Sequence, residues 1–224
     1  MRLNMAAAVV AGSILLLGGQ LATAENSQSI LIQDAEGRPV AGAVVFLESA
    51  TPGPASNPTT VVIDQRDKRF VPRVSVIQTG TKVSFPNNDS MSHHVYSFAS
   101  SNSFELPLYK GETRPSITFK NPGLVTLGCN IHDSMLGYLL IVDTPYFALA
   151  DDAGKATLSI PDAIFSTKDI RVWSPRLDST DVLTAAGTQT IAESADSISI
   201  ALTVDQQLIG SSDSKASSLD WDDY

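Results

Sequence analysis

The sequence is sparing with the residue types that most often carry chemistry. Its 224 residues include one cysteine, three histidines and two tryptophans. A single cysteine excludes an internal disulfide. It also excludes iron–sulfur clusters and the structural zinc sites that rest on several thiolates. Basic residues are scarce as well: 15 lysines and arginines face 24 aspartates and glutamates, for a net charge of −9. Nucleic acid is bound through clustered basic side chains, so it is not an expected partner. Long apolar runs are missing. The stretch Ala6–Leu17 falls short of the roughly 20 residues that a membrane-spanning helix needs. Sustained helical periodicity is missing too, and no segment repeats at a fixed period.

What is present favours strands and turns. Apolar residues make up 43% and charged residues 17%, an ordinary globular mixture. Valine, threonine, serine, glycine and proline are plentiful, which predicts an all-β chain. Met1 and Arg2 give a positive start, Ala6–Leu17 is apolar, and Ala22-Thr23-Ala24 fits a small-x-small cleavage pattern. Residues 1–24 therefore read as a secretory signal peptide, with Glu25 the first mature residue and no membrane span left after cleavage. An exported protein meets an oxidising compartment, where cysteines ordinarily pair. Cys129 has no mate. It is either a buried, inert thiol or a metal ligand.

Strand signals run along the chain. Ser29–Gln33 and Val40–Leu47 flank a turn at Asp34–Pro39, and Thr51–Thr60, with Pro52, Gly53, Pro54 and Pro58, reads as a loop. Short strands then follow one another: Val61–Ile63, Arg73–Gln78, Lys82–Phe85, His93–Phe98, Ser116–Lys120, Leu124–Leu127 and Tyr138–Val142. That spacing predicts a sandwich or barrel. Beyond Thr144-Pro145, further strands are expected at Ala156–Ile160, Ile170–Trp173 and Ser197–Val204, and the Ser- and Asp-rich end reads as a disordered acidic tail.

The sharpest motif is Cys129-Asn130-Ile131-His132-Asp133-Ser134-Met135, a Cys-x2-His-x2-Met run on one loop. Close spacing lets one loop turn three side chains towards one centre. A soft thiolate, an imidazole and a weak thioether together suit copper cycling between Cu(I) and Cu(II). A second imidazole must come from His93 or His94, which face opposite ways on a strand, so one of the two is expected to bind. Zinc is the competing metal, and nucleophilic catalysis by Cys129 with His132 the competing chemistry. Asn87, Asn88 and Asn130 are candidates for orienting the ligands. Tyr96, Tyr109 and Tyr138 read as core aromatics.

These residues carry a resemblance. Phe70-Val71-Pro72, Val74-Ser75-Val76 and Gly80–Asn87 resemble the opening strands of cupredoxins, and His93-His94-Val95 resembles that family's His-Asn-Val, with His94 where Asn usually stands. The Cys-x2-His-x2-Met spacing is similar to that of the amicyanin group. The runs His93–Phe98, Glu105–Gly111 and Gly128–Asp133 resemble bacterial methylamine utilization proteins. The resemblance implies a Greek-key cupredoxin β-sandwich over residues 60–144. It implies one mononuclear copper ion with His93, Cys129 and His132 in the plane and Met135 axial, and His132 near the surface as electron exit. More weakly, Gln33–Val45, Asp151–Leu158 and Ile170–Trp173 resemble the two halves of a carboxypeptidase regulatory-like β-sandwich. The cupredoxin would then be inserted into this second sandwich, residues 25–59 and 145–205, with the tail at 206–224.

The function implied is a periplasmic one-electron carrier that exchanges electrons with a partner such as a periplasmic cytochrome or dehydrogenase. The alternatives are a copper chaperone or store and, third, a structural module with an empty site. An enzyme is not expected, since no second metal set and no acid–base pair accompany the motif.

Overall fold

A computed structural model describes residues 25–34, 36–48, 60–111, 115–161, 170–175, 188–194 and 197–202. The signal peptide, most of the 51–60 loop and the acidic tail expected from the sequence lie outside these residues. Every regular element among the described residues is a β-strand, as the composition predicts. No helix among them is long and apolar enough to cross a membrane.

The first and last parts of the chain pair with each other. β1 (Glu25–Gln33) lies antiparallel to β14 (Lys155–Pro161) and parallel to β17 (Ser197–Leu202), which in turn pairs with β16 (Thr188–Ser194). β2 (Val44–Leu47) lies between β13 (Phe147–Leu149) and β15 (Ile170–Trp173) in a second sheet. Strands adjacent in sequence, β1 and β2, thus enter different sheets, and the turn between them is closed by a Gln33–Pro39 bridge. The two sheets close on Ile30, Ile32, Ala156, Leu158 and Ile160 from one side and Val45, Leu47, Ile170 and Val172 from the other. β14 shows why: Ala156, Leu158 and Ile160 are buried, while Lys155, Thr157 and Ser159 between them are exposed. Each such side chain stabilises the fold by about 1.5–3 kcal/mol when fully buried.

The middle of the chain forms its own layered core. β3 (Val61–Val62), β7 (Lys82–Ser84) and β10 (Ile117–Thr118) make one small sheet. β6 (Val74–Gln78), β12 (Gly137–Val142) and β11 (Gly123–Leu127) make another, with β6 parallel to β12. β4 (Asp64–Arg66) and β5 (Arg69–Val71) form a hairpin, as do β8 (His93–Ser97) and β9 (Phe104–Tyr109). Between these sheets lie Ile63, Phe70, Val83, Phe85, Phe119, Leu127, Leu139 and Ile141.

A third core joins the two parts. Val44, Phe46 and Trp173 of the flanking sheet pack on Val74, Leu140 and Val142 of β6 and β12. β2 and β12 are therefore buried on both faces. That explains their unbroken apolar sequences, Val44–Leu47 and Leu139–Val142, where a half-buried strand would alternate.

Candidate metal centre

The loop from Cys129 to Met135 joins β11 to β12, which pair antiparallel from Leu127↔Gly137 onward. Both ends of the loop are thus pinned to one ladder. Inside it, His132 N–H donates to Cys129 O (3.4 Å) and Met135 N–H to His132 O (3.0 Å). These tight turns fold the loop so that the Cys129 and His132 side chains meet. Met135 is buried, in the same apolar cluster as Cys129.

His93 arrives from β8. Its Nδ1 lies 3.9 Å from Cys129 Sγ, and His132 Nδ1 lies 3.9 Å from the same sulfur. One ligand atom from each of His93, Cys129 and His132 falls within 4.8 Å of the others. The imidazole rings of His93 and His132 stand 5.0 Å apart. Cys129 and His93 are buried, and His132 is half-buried at the rim. Two imidazole nitrogens and one thiolate thus converge on a point all three can reach. The donor set, a soft sulfur with two borderline imidazole nitrogens, fits a copper ion.

Side-chain contacts decide between the adjacent histidines of β8. His94 points away from Cys129, pairs with Glu105 Oε1 (2.9 Å) and stacks on Tyr96. His93 is the one brought to the sulfur.

The carboxylate of Asp89 fixes His93. Asp89 Oδ2 lies 2.7 Å from His93 Nε2 and accepts the Lys68 backbone N–H at 2.8 Å. The Ser90 N–H donates to Oδ1. The Lys68 amide, with the His93 ring next, holds the Asp89 carboxyl well below the usual carboxylate range. An ionised carboxylate only accepts, so His93 Nε2 donates to it and the ring turns Nδ1 towards the sulfur. The Lys68 amide is placed by the β4–β5 turn, where Asp67 and Lys68 both have positive φ, 49° and 59°. A primed hairpin turn requires that geometry.

The three asparagines divide. Asn87 holds the loop that precedes His93, donating through Nδ2 to Met91 O and Tyr109 O and accepting the Asp89 N–H. Asn88 instead donates to Asp64, and Asn130 is exposed. Tyr109 is a core residue whose hydroxyl donates to Phe85 O, whereas Tyr96 and Tyr138 are half-buried. Asp89 escaped the sequence reading.

No protein-family model matches the chain, and no curated protein matches it. Among solved structures, it is similar to a reduced amicyanin variant at 24% identity, covering 43% of this chain and 97% of that one, with a TM-score of 0.34. A copper-containing nitrite reductase from Thermus scotoductus SA-01 matches at 25% identity, covering 50% of this chain and 28% of that one, with a TM-score of 0.36. A purple cupredoxin from Nitrosopumilus maritimus matches at 20% identity, covering 37% of this chain and 97% of that one, with a TM-score of 0.32.

Proposed function

We propose that this chain is a cupredoxin-type protein that holds one copper ion and carries one electron at a time in the periplasm. The observation that carries the reading is the convergence of His93 Nδ1, Cys129 Sγ and His132 Nδ1 on one point. Those three residues would hold the ion, and Met135 would be its fourth ligand. When bound, copper supplies reversible one-electron exchange between Cu(I) and Cu(II). The protein's part is to keep the ligands in place across that change. Asp89 holds the His93 ring, the β11–β12 ladder holds the Cys129 loop, and burial keeps water from the sulfur.

The same features favour a carrier over a chaperone. A chaperone must release its ion, yet His93 and Met135 are enclosed and only His132 reaches the rim. His132 is the proposed electron exit. The net charge of −9 fits a partner with a basic face, such as a cytochrome or dehydrogenase. The apparent signal peptide at residues 1–24 supports export. The flanking strands are read as a regulatory-like β-sandwich that presents the copper domain.

Purified metal-free protein titrated with Cu(II) tests the reading. One equivalent should bind with an intense thiolate-to-copper absorption and a reversible redox wave, and Cys129→Ser should lose both. Tight Cu(I) uptake with no stable Cu(II) form would favour handling of the ion over electron transfer.

A further inference from the structure

Gln65 lies in β4 and has no exposed surface. Its backbone already joins β4 to the segment that leads to His93. The Gln65 N–H donates to Pro86 O, and the Asn88 N–H donates to Gln65 O, both at 3.1 Å. The side chain adds a second grip. Its Nε2 donates to Pro86 O (3.1 Å) and to the Tyr109 hydroxyl, which in turn donates to Phe85 O. These partners fix which end of the amide is nitrogen, since an oxygen there would face a carbonyl oxygen. At the other end, Oε1 is buried with no hydrogen-bond partner among the described residues. An orphaned buried acceptor opposes folding, and an apolar side chain of the same length would avoid it. Packing alone therefore does not account for an amide at this place. What the amide achieves is a bond between two elements, the 85–86 segment and Tyr109 of β9.

Both elements bear on His93. Tyr109 stands opposite His93 in the β8–β9 ladder. Asn87, next to Pro86, donates to Tyr109 O at 2.7 Å and accepts the Asp89 N–H at 2.9 Å. Asp89 in turn meets His93 Nε2. Gln65, Tyr109, Asn87 and Pro86 thus close a ring of contacts, with Asp89 on one edge and His93 beside another.

We propose, on the copper reading above, that Gln65 is a positioning residue for the metal centre. Its amide sets the spacing between β9 and the 85–88 segment. Through Tyr109, Asn87 and Asp89, that spacing sets the angle at which His93 turns Nδ1 to Cys129 Sγ.

The test is Gln65→Met, which removes the amide and keeps the length. Pro86 O keeps the backbone N–H of residue 65, and Phe85 O keeps the Tyr109 hydroxyl, so neither carbonyl is orphaned. The urea midpoint of the metal-free variant should therefore stay close to wild type. Affinity for Cu(I), read by competition with a chromophoric chelator, should fall about 10-fold. In NMR spectra of the metal-free protein, the His93 ring resonances should shift more than those of His132, which sits on the other loop. Should Gln65→Met fail to fold, Tyr109→Phe removes the bridging hydroxyl alone and should give the same readings. Wild-type copper affinity and unmoved His93 resonances in a folded variant overturn the proposal. Equal shifts at His93 and His132 with a lowered urea midpoint overturn it too, since they show a general loosening of the fold. Failure of the wild type to take up copper overturns the copper reading, and the metal-free spectra then still decide whether Gln65 holds the His93 ring.

Discussion

Asp89→Ala should weaken copper binding without abolishing the fold. The Asp89 carboxylate meets three N–H groups: His93 Nε2 at 2.7 Å, the Lys68 amide at 2.8 Å and the Ser90 amide at 2.6 Å. The His93 side chain is 0% exposed, so the donor left behind is a buried one. Leaving a buried donor unpaired costs about 1–3 kcal/mol. Removing a group that orients a ligand typically costs about 10–100-fold in metal affinity, or about 1.4–2.8 kcal/mol. The two routes agree. Part of the loss falls on the metal-free fold, through Lys68 and Ser90, so two assays are needed. Urea unfolding of the metal-free variant gives the first share, and competition with a chromophoric Cu(I) chelator gives the second. Asp89→Asn, which keeps one acceptor oxygen, should fall between. A folded Asp89→Ala protein with wild-type copper affinity would refute the claim that this carboxylate positions His93.

Exchanging the adjacent histidines in turn should separate them: His93→Asn should lose the copper absorption, whereas His94→Asn should keep it, as a Cu(II) titration will show. Asp64 gives a pH dependence. Burial raises its carboxyl, but hydrogen bonds from Asn88 and the Gln65 amide, with Arg66, outweigh burial and leave it lowered. A depressed folded value stabilises fully above the unfolded carboxylate's range and is lost as pH falls through the folded value. Unfolding midpoints measured between about pH 5 and pH 3 should therefore fall less steeply in Asp64→Asn than in the wild type. At the junction of the two parts, Trp173 Nε1 is buried and has no hydrogen-bond partner among the described residues. Trp173→Phe should then cost less than about 1.5 kcal/mol and Trp173→Ala about 3–5 kcal/mol, by chemical denaturation.

Much of the centre was legible because its information is local. Cys129, His132 and Met135 sit within one loop, and the period of a strand separates His93 from His94 before any contact is known. Asp89 was not legible, because its role depends on the Lys68 amide, 21 residues away. The hairpin presenting that amide was itself hidden. Its turn is Asp67-Lys68 rather than Asn-Gly, and its strands are short and polar at Asp64–Arg66. β9 was hidden by Pro107, a residue that argues against a strand away from a sheet edge. The double-faced burial of β2 and β12 was visible only as runs without alternation. Sequence alone does not say which cores lie on either side.

Those runs bear on how the site is held. Met135 is followed within two residues by Gly137, where β12 begins, and Cys129 comes two residues after Leu127, where β11 ends. The ligand loop therefore inherits whatever rigidity the β11–β12 ladder has. Leu139 and Ile141 anchor β12 on the side of the metal centre, while Leu140 and Val142 anchor it to Val44, Phe46 and Trp173 of the flanking sheet. A strand fixed on one face alone can tilt about that face. One fixed on both cannot tilt without opening a core, and close-packed interiors resist such displacement. The flanking strands are thus more than a tether: part of the stiffness of the Cys129–Met135 loop is supplied by Val44, Phe46 and Trp173.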